Sequence, residues 1–374
     1  MKKFPLALLT LVLALATLLA ACGGGAPTAE SPAAESETTN ETTNGDNENG
    51  GETVSMPGEG VTLSPGRATW DTGWFQAAIF SKLLGELGYE VEAPTTVDNP
   101  AFYLSTAAGD LDFWANGWFP LHSTFVEDED VQGKVERIGA LVPFGALQGY
   151  LIDKATADEL SITSLEDFKR PEVVAAFDSD GNGLANLVGC NPGWGCELAI
   201  ENHLDAYELR DTVEHVQGEY SLLMADAISR YENGEPVLFY TWTPNWTVAR
   251  MVPGEDVVWI EVPFSILPED SAATEESTIA EGIQGCTNDP CNMGFAPNDI
   301  QIVANIDFLE QEPAARKLFE VVEIPLEDIA AQNVLLAIDG ENSEDDIQRH
   351  ADQWITDNRA TVDGWLDEAR AAVQ

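Results

Sequence analysis

Positive charge is scarce in this sequence. Lysine and arginine together number 17 in 374 residues, against 65 aspartates and glutamates, for a formal net charge of −48. A chain so acidic repels phosphate backbones and anionic headgroups, which argues against nucleic acid as a partner. Two explanations of the excess stay open. One is a solvated acidic surface; the other is a surface suited to high salt, where screening confines self-repulsion to about 10 Å or less. Catalytic and metal motifs are also missing. There is no GxSxG, no HExxH and no CxxC, and the four histidines (His122, His203, His215, His350) are scattered. No metal, no cofactor and no enzymatic activity are therefore expected. The stretch "DSDGNGLANLVG" opens like an EF-hand calcium loop, but Gly189 stands at the twelfth position, where a bidentate Glu is needed. A tight Asp/Asn/Gly turn is the simpler reading.

Cysteine is sparse, and each one is informative. Of five, Cys22 follows Leu19-Ala20-Ala21 at the end of an apolar run that begins after Lys2 and Lys3. A short apolar run behind a basic start is a secretory signal rather than a membrane span. Small residues directly before a cysteine resemble a bacterial lipobox, so residues 1–21 are expected to be a cleaved signal peptide and Cys22 a lipidated N-terminus. Residues 23–58 contain no aromatic, lysine or arginine. Such a segment cannot bury enough surface to offset ordering entropy, so 22–58 reads as a lipidated acidic tether. The remaining cysteines fall in two close pairs in an exported chain, where disulfides persist. Cys190–Cys196 and Cys286–Cys291 are the natural pairings, although four cysteines allow three connectivities.

From residue 59 onward, strand-like and helix-like stretches alternate. "GVTLSPG", "YEVEAPTTV", "LDFWANGW", "EPVLFYTW" and "DVVWIEVPF" read as strands. "GWFQAAIFSKLLGELG", "NPAFYLSTAAGD", "SLEDFKRPEVVAAF", "CELAIENHLDAYEL" and "YSLLMADAISRYENG" read as helices, and the C-terminal part is mostly helical. This alternation predicts an α/β fold with largely parallel sheets.

Tryptophan, by contrast, is abundant, with ten residues. Trp259, Trp354 and Trp365 lie in apolar or amphipathic stretches where core packing explains them. Trp118, Trp194 and Trp242 sit at element ends beside Gly, Pro or Thr, in "ANGWFPLH", "CNPGWGCE" and "YTWTPNW". Loops after strands are where open α/β sheets place ligands. Three converging indoles suit a quaternary ammonium, which has a full charge, no N–H and a bulky methyl shell. Each contact is worth about 0.5–2 kcal/mol. Gly193 and Gly195 would let backbone amides approach a ligand carboxylate, and His122 would add a donor.

The stretches "ALQGYLIDKATAD", "LVGCNPGWGCE", "MADAISRYENGEPVLFYTWTPNW", "DVVWIEVPFSILP" and "QRHADQWI" resemble the substrate-binding proteins of glycine betaine/proline betaine ABC transporters. The resemblance covers most of residues 59–374. It implies a two-lobed periplasmic-binding-protein-like fold with a ligand cleft between the lobes, divided as 59–148 (lobe 1), 149–255 (lobe 2) and 256–374 (return to lobe 1 and C-terminal helices). It implies an aromatic box at Trp118, Trp194 and Trp242, with carboxylate contacts from His122 and the backbone of Trp194 and Gly195. The implied partners are a small zwitterionic quaternary-ammonium ligand, an ABC permease with its ATPase, and a membrane reached through the lipid. A monomer is expected. A choline, carnitine or sulfonium receptor with the same box is the alternative. Two departures stand out: the second cysteine pair, in "GCTNDPCNMG", and Asn245, where the family pattern suggests an aromatic at the rim.

Overall fold

The computed structural model describes residues 56–268 and 273–373. The signal segment, Cys22 and the tether as far as residue 55 lie outside the described residues. The folded part begins slightly before the expected tether end. Gly58 N–H already donates to Leu87 O at 2.9 Å. Among the described residues, no helix is long and apolar enough to cross a membrane.

Among the described residues, nine strands form one sheet in two halves that share a single long strand, Val135–Asp153. In the first half the order is Thr95–Val97, Pro65–Ala68, Phe113–Phe119, Asn298–Asn305 and then the N-terminal part of the long strand. In the second half, the C-terminal part of the long strand pairs with Leu238–Thr243, followed by Ala185–Val188 and Val213–Val216. Val257–Ile260 covers the other edge of that part. The outer strands of each half pair in parallel, as expected. The long strand and Asn298–Asn305, which carry the chain between the halves, pair antiparallel with their neighbours. The sheet is therefore mixed rather than largely parallel. Because Val257–Ile260 pairs with residues 150–153, the boundary expected at residue 256 falls inside the second half. Asn298–Asn305 makes the return.

The helices follow local signals. In Trp74–Glu86 the apolar residues bury against the first half, and the helix stops where Gly88 takes φ +96°, a left-handed position that favours glycine. Asn99–Ala108 starts at Asp98, whose side chain accepts from Ala101 N–H, with Pro100 in the first turn. The stretch 164–177, expected as one helix, is a 3-10 turn at Leu165–Lys169 followed by Pro171–Phe177. Pro171 cannot donate an N–H to a continuing helix, and it disfavours helical backbone at Arg170.

Both cysteine pairs are bonded locally. Cα–Cα distances are 6.6 Å for Cys190–Cys196 and 6.2 Å for Cys286–Cys291. The Asp178 carboxylate is taken up by the backbone N–H groups of Gly181, Asn182 and Gly183, the arrangement of a polar turn. Trp354 and Trp365 stack on each other, and Trp259 is buried in the strand Val257–Ile260. All three do the packing work expected of them.

Candidate functional site

Four strands of the parallel stretches end at one cleft between the halves, as the topology of an open α/β sheet favours. Thr69 and Trp70 follow Pro65–Ala68. Trp118 lies near the end of Phe113–Phe119, and Trp242 near the end of Leu238–Thr243. After Ala185–Val188 a short turn leads to Trp194, the residue before the helix Gly195–Ala206. The turn is held at several points. The Cys190–Cys196 bridge closes it, Gly193 N–H donates to Glu197 Oε2 at 2.7 Å, and Asn191 Oδ1 accepts from Tyr220 N–H at 2.9 Å.

All five residues expected at the site, Trp118, His122, Trp194, Gly195 and Trp242, line one cavity. The sequence reading misses Trp70, Asn99, Gln148 and Tyr240, which line it too. Gln148 pairs directly opposite Trp242 across the antiparallel ladder, and Tyr240 lies two residues before Trp242 on the same face. Tyr240 Oη donates to Gln148 Oε1 at 2.5 Å. Asn245 is buried but does not line the cavity. Its side chain accepts from Thr247 N–H, so it shapes the turn rather than the rim.

The indoles meet edge to face. Trp118 and Trp242 have ring centroids 6.4 Å apart at 80°, and Trp194 and Trp242 are 5.9 Å apart at 72°. Near-right angles between neighbours make walls rather than a stack. Tyr220 backs Trp242 at 4.7 Å. Among the described residues, no lining side chain carries a carboxylate, an ammonium or a guanidinium.

His122 is neutral, because burial pushes its pKa down to about 3. Its Nδ1 accepts from Trp118 N–H at 3.2 Å and lies 3.1 Å from Tyr103 Oη. Burial keeps the Tyr103 hydroxyl protonated, so it too donates to Nδ1. The ring proton is therefore on Nε2, which lies 2.7 Å from Asn99 Nδ2. Two donors cannot pair, so this tautomer requires the Asn99 amide turned to present Oδ1, an atom with no other partner among the described residues. A backbone pair completes this end. The N–H groups of Gly195 and Cys196 open a helix and have no intrahelical acceptor. The amide of Trp194, expected to join them, instead donates to Asn191 O at 3.2 Å. Gly195 has no room for a side chain. A Cβ there would lie 2.8 Å from Leu121 Cγ and 3.3 Å from His122 Cδ2.

The tautomer and burial of His122 give a pH prediction. The unfolded chain takes up the imidazole proton near the ordinary value of 6.5, while the folded chain resists until about 3. This contribution to stability is full above pH 6.5 and declines as pH falls towards 3. Ligand affinity is expected to stay flat from about pH 5 to 8, because the folded ring does not titrate there. Calorimetric titration across that range checks this, and an affinity step centred near 6.5 would contradict the assignment.

The halves touch across the cleft. Trp194 Nε1 donates to Thr69 Oγ1 at 2.8 Å, and Trp246 Nε1 to Asp71 Oδ1 at 3.2 Å. Burial raises the Asp71 carboxyl above its ordinary range, opposed by the Trp246 bond.

Comparison with known proteins agrees with this architecture. A family model described as the substrate binding domain of ABC-type glycine betaine transport systems matches residues 61–357. The glycine betaine/proline betaine-binding periplasmic protein of Escherichia coli K12 is 46% identical over 319 residues, 85% of this chain and 93% of that protein. The glycine betaine-binding periplasmic protein OusX of Dickeya dadantii is 45% identical over the same shares. Among solved structures, the glycine betaine/L-proline transporter binding protein of Borrelia burgdorferi superposes with a TM-score of 0.64 at 17% identity, over 84% of this chain and 100% of that one. A lactococcal protein, closed on glycine betaine, superposes at 0.59 and 17% identity, over 82% and 99%. The fold is the two-lobed one of these binding proteins, and the chain belongs to the family of substrate-binding domains of ABC-type glycine betaine transport systems.

Proposed function

We propose that this protein is the extracytoplasmic receptor of an ABC importer, capturing glycine betaine or proline betaine and presenting it to the permease for osmoprotectant uptake. The observation that carries the reading is a cavity walled by indoles at near-right angles, with no charged side chain in its lining among the described residues. A trimethylammonium needs no hydrogen-bond acceptor and gains from π faces and apolar contact. Trp118, Trp194 and Trp242 take the cation. The Gly195 and Cys196 amides take the carboxylate, joined by the Nε2–H of His122 once the ligand replaces Asn99 as its partner. That polar end favours betaines over choline, which has no carboxylate. The names of the relatives, two of them above 40% identity, support the same ligand class.

Tryptophan-fluorescence titration with glycine betaine, proline betaine, choline, carnitine and glycine tests the reading. The betaines are expected to bind most tightly and glycine far more weakly. Equal affinity for glycine and glycine betaine would end it. Cys22 is proposed as the lipidated N-terminus that tethers the receptor beside its permease, on the strength of Leu19-Ala20-Ala21-Cys22 and the acidic segment after it. Mass spectrometry of membrane-extracted protein should find a lipid on that cysteine. A chain cleaved elsewhere, with Cys22 unmodified, would remove the anchor.

A further inference from the structure

We infer that Trp70 is a fourth wall of the cation box and that Asn116 is the positioning residue that closes the square, so that this chain selects for a fully methylated nitrogen. The inference rests on the ligand class proposed above. Trp70 lines the cavity and meets Trp194 edge to face, with ring centroids 5.0 Å apart at 74°. Trp194 meets Trp242, and Trp242 meets Trp118, at similar angles. The remaining side, between Trp118 and Trp70, is closed by one oxygen. Asn116 Oδ1 accepts from Trp70 Nε1 at 2.8 Å and from Trp118 Nε1 at 2.9 Å. Asn116 is buried and lies two residues before Trp118, on the same face of the strand Phe113–Phe119.

Two consequences follow from this geometry. An indole whose N–H is held at its edge cannot rotate to offer that N–H to a ligand, so it presents π surface. And an amide oxygen has two lone pairs. Both are occupied, so on this side of the box no acceptor is left for a ligand N–H. A ligand nitrogen that has lost a methyl carries an N–H that finds indole where it needs oxygen. Asn116 thus fixes two walls and withholds an acceptor from incompletely methylated amines. Trp70 backs onto Trp114 at 5.4 Å and His122 at 6.2 Å, which ties the fourth wall to the carboxylate end.

The test is calorimetric titration of the parent, Trp70→Leu, Trp70→Phe, Asn116→Leu and Asn116→Asp with glycine betaine and dimethylglycine, with melting temperatures alongside. Trp70→Leu is expected to weaken glycine betaine binding about tenfold, and Trp70→Phe to weaken it less. Asn116→Leu keeps bulk and removes the acceptor; it should narrow the ratio of glycine betaine to dimethylglycine affinity several-fold. Asn116→Asp keeps the shared oxygen but adds a second, unoccupied acceptor beside the box, so it should also narrow the ratio by taking the N–H of dimethylglycine, an effect that a loss of stability alone would not produce. The inference is overturned if folded Trp70→Leu binds glycine betaine within twofold of the parent, or if Asn116→Leu leaves the ratio unchanged. Should Trp70→Leu not fold, Trp70→Phe decides: a loss of threefold or more supports the fourth wall, and parental affinity overturns it. A parent that binds no quaternary ammonium at all would instead overturn the proposed function on which this rests.

Discussion

Trp242→Leu is expected to bind glycine betaine at least about tenfold more weakly than the parent, with Trp242→Phe recovering part of the loss. The two replacements separate contact from quadrupole. Leucine supplies apolar surface to the ligand methyls but no negative π face. Phenylalanine supplies a face of the same sign and lower strength. A cation–π contact in a desolvated site is worth about 1–2 kcal/mol, and each 1.4 kcal/mol is about tenfold in dissociation constant. Trp242 suits the test because its Nε1 has no hydrogen-bond partner among the described residues, so no polar partner is orphaned by the change. Tyr220 and Tyr240 pack against it at 4.7 and 6.1 Å and keep the wall supported. The same ordering is expected at Trp118 and Trp194, although each also loses a hydrogen bond, to Asn116 and Thr69. Trp354→Phe is the control. Its indole donates to Asp328 and stacks on Trp365, away from the cleft, so it should shift the melting temperature more than the affinity. Equal affinity of the Trp242→Leu and Trp242→Phe variants would show that the indoles merely pack.

The three box tryptophans are legible in the sequence because each is a large aromatic at the end of a strand, where Gly, Pro or Thr leaves a core residue little reason to be. Trp70, in "ATWDTGW", has similar surroundings and escapes notice because a helical pattern begins just after it. Asn116, Gln148 and Tyr240 are not legible at all. They lie inside strands, and which face such a residue occupies depends on a register set by partners far away in the chain. Gln148 reaches the site because it opposes Trp242, 94 positions later, a pairing that no local pattern encodes.

The fold shows the same division. Helices and short strands with local caps and periodicity are visible in the sequence. The long strand is not, because "VERIGALVPFGALQGYLID" is interrupted by Pro143 and three glycines, and its pairing shifts register against Asn298–Asn305. Without that strand a mixed sheet reads as a parallel one, and the boundary between the halves is misplaced as well. The tautomer of His122 is beyond reach for a related reason. It depends on Tyr103 and Asn99, 19 and 23 residues away, meeting one ring.

Gly195→Ala is expected to weaken glycine betaine binding by about tenfold or more while leaving choline binding much less changed. The position is the first of the helix Gly195–Ala206, where alanine is as good a helix former as glycine or better, so the helix itself should not suffer. The added Cβ meets Leu121 Cγ at 2.8 Å, closer than such atoms pack, and forces the helix start away from Leu121 and His122. That movement separates the two groups of donors assigned to the carboxylate: the Gly195 and Cys196 amides on one side and the His122 Nε2–H on the other. A few tenths of an ångström is enough to weaken hydrogen bonds to a charged acceptor, which are worth about 1.5–3 kcal/mol each. Choline shares the trimethylammonium and lacks the carboxylate, so it reports on the indole walls alone. The measurement is the ratio of glycine betaine to choline affinity in the variant against the parent. A fall in that ratio places the carboxylate between His122 and the helix start. Equal losses for both ligands would mean that the substitution disturbs the Trp194 wall, and the carboxylate assignment would have to move.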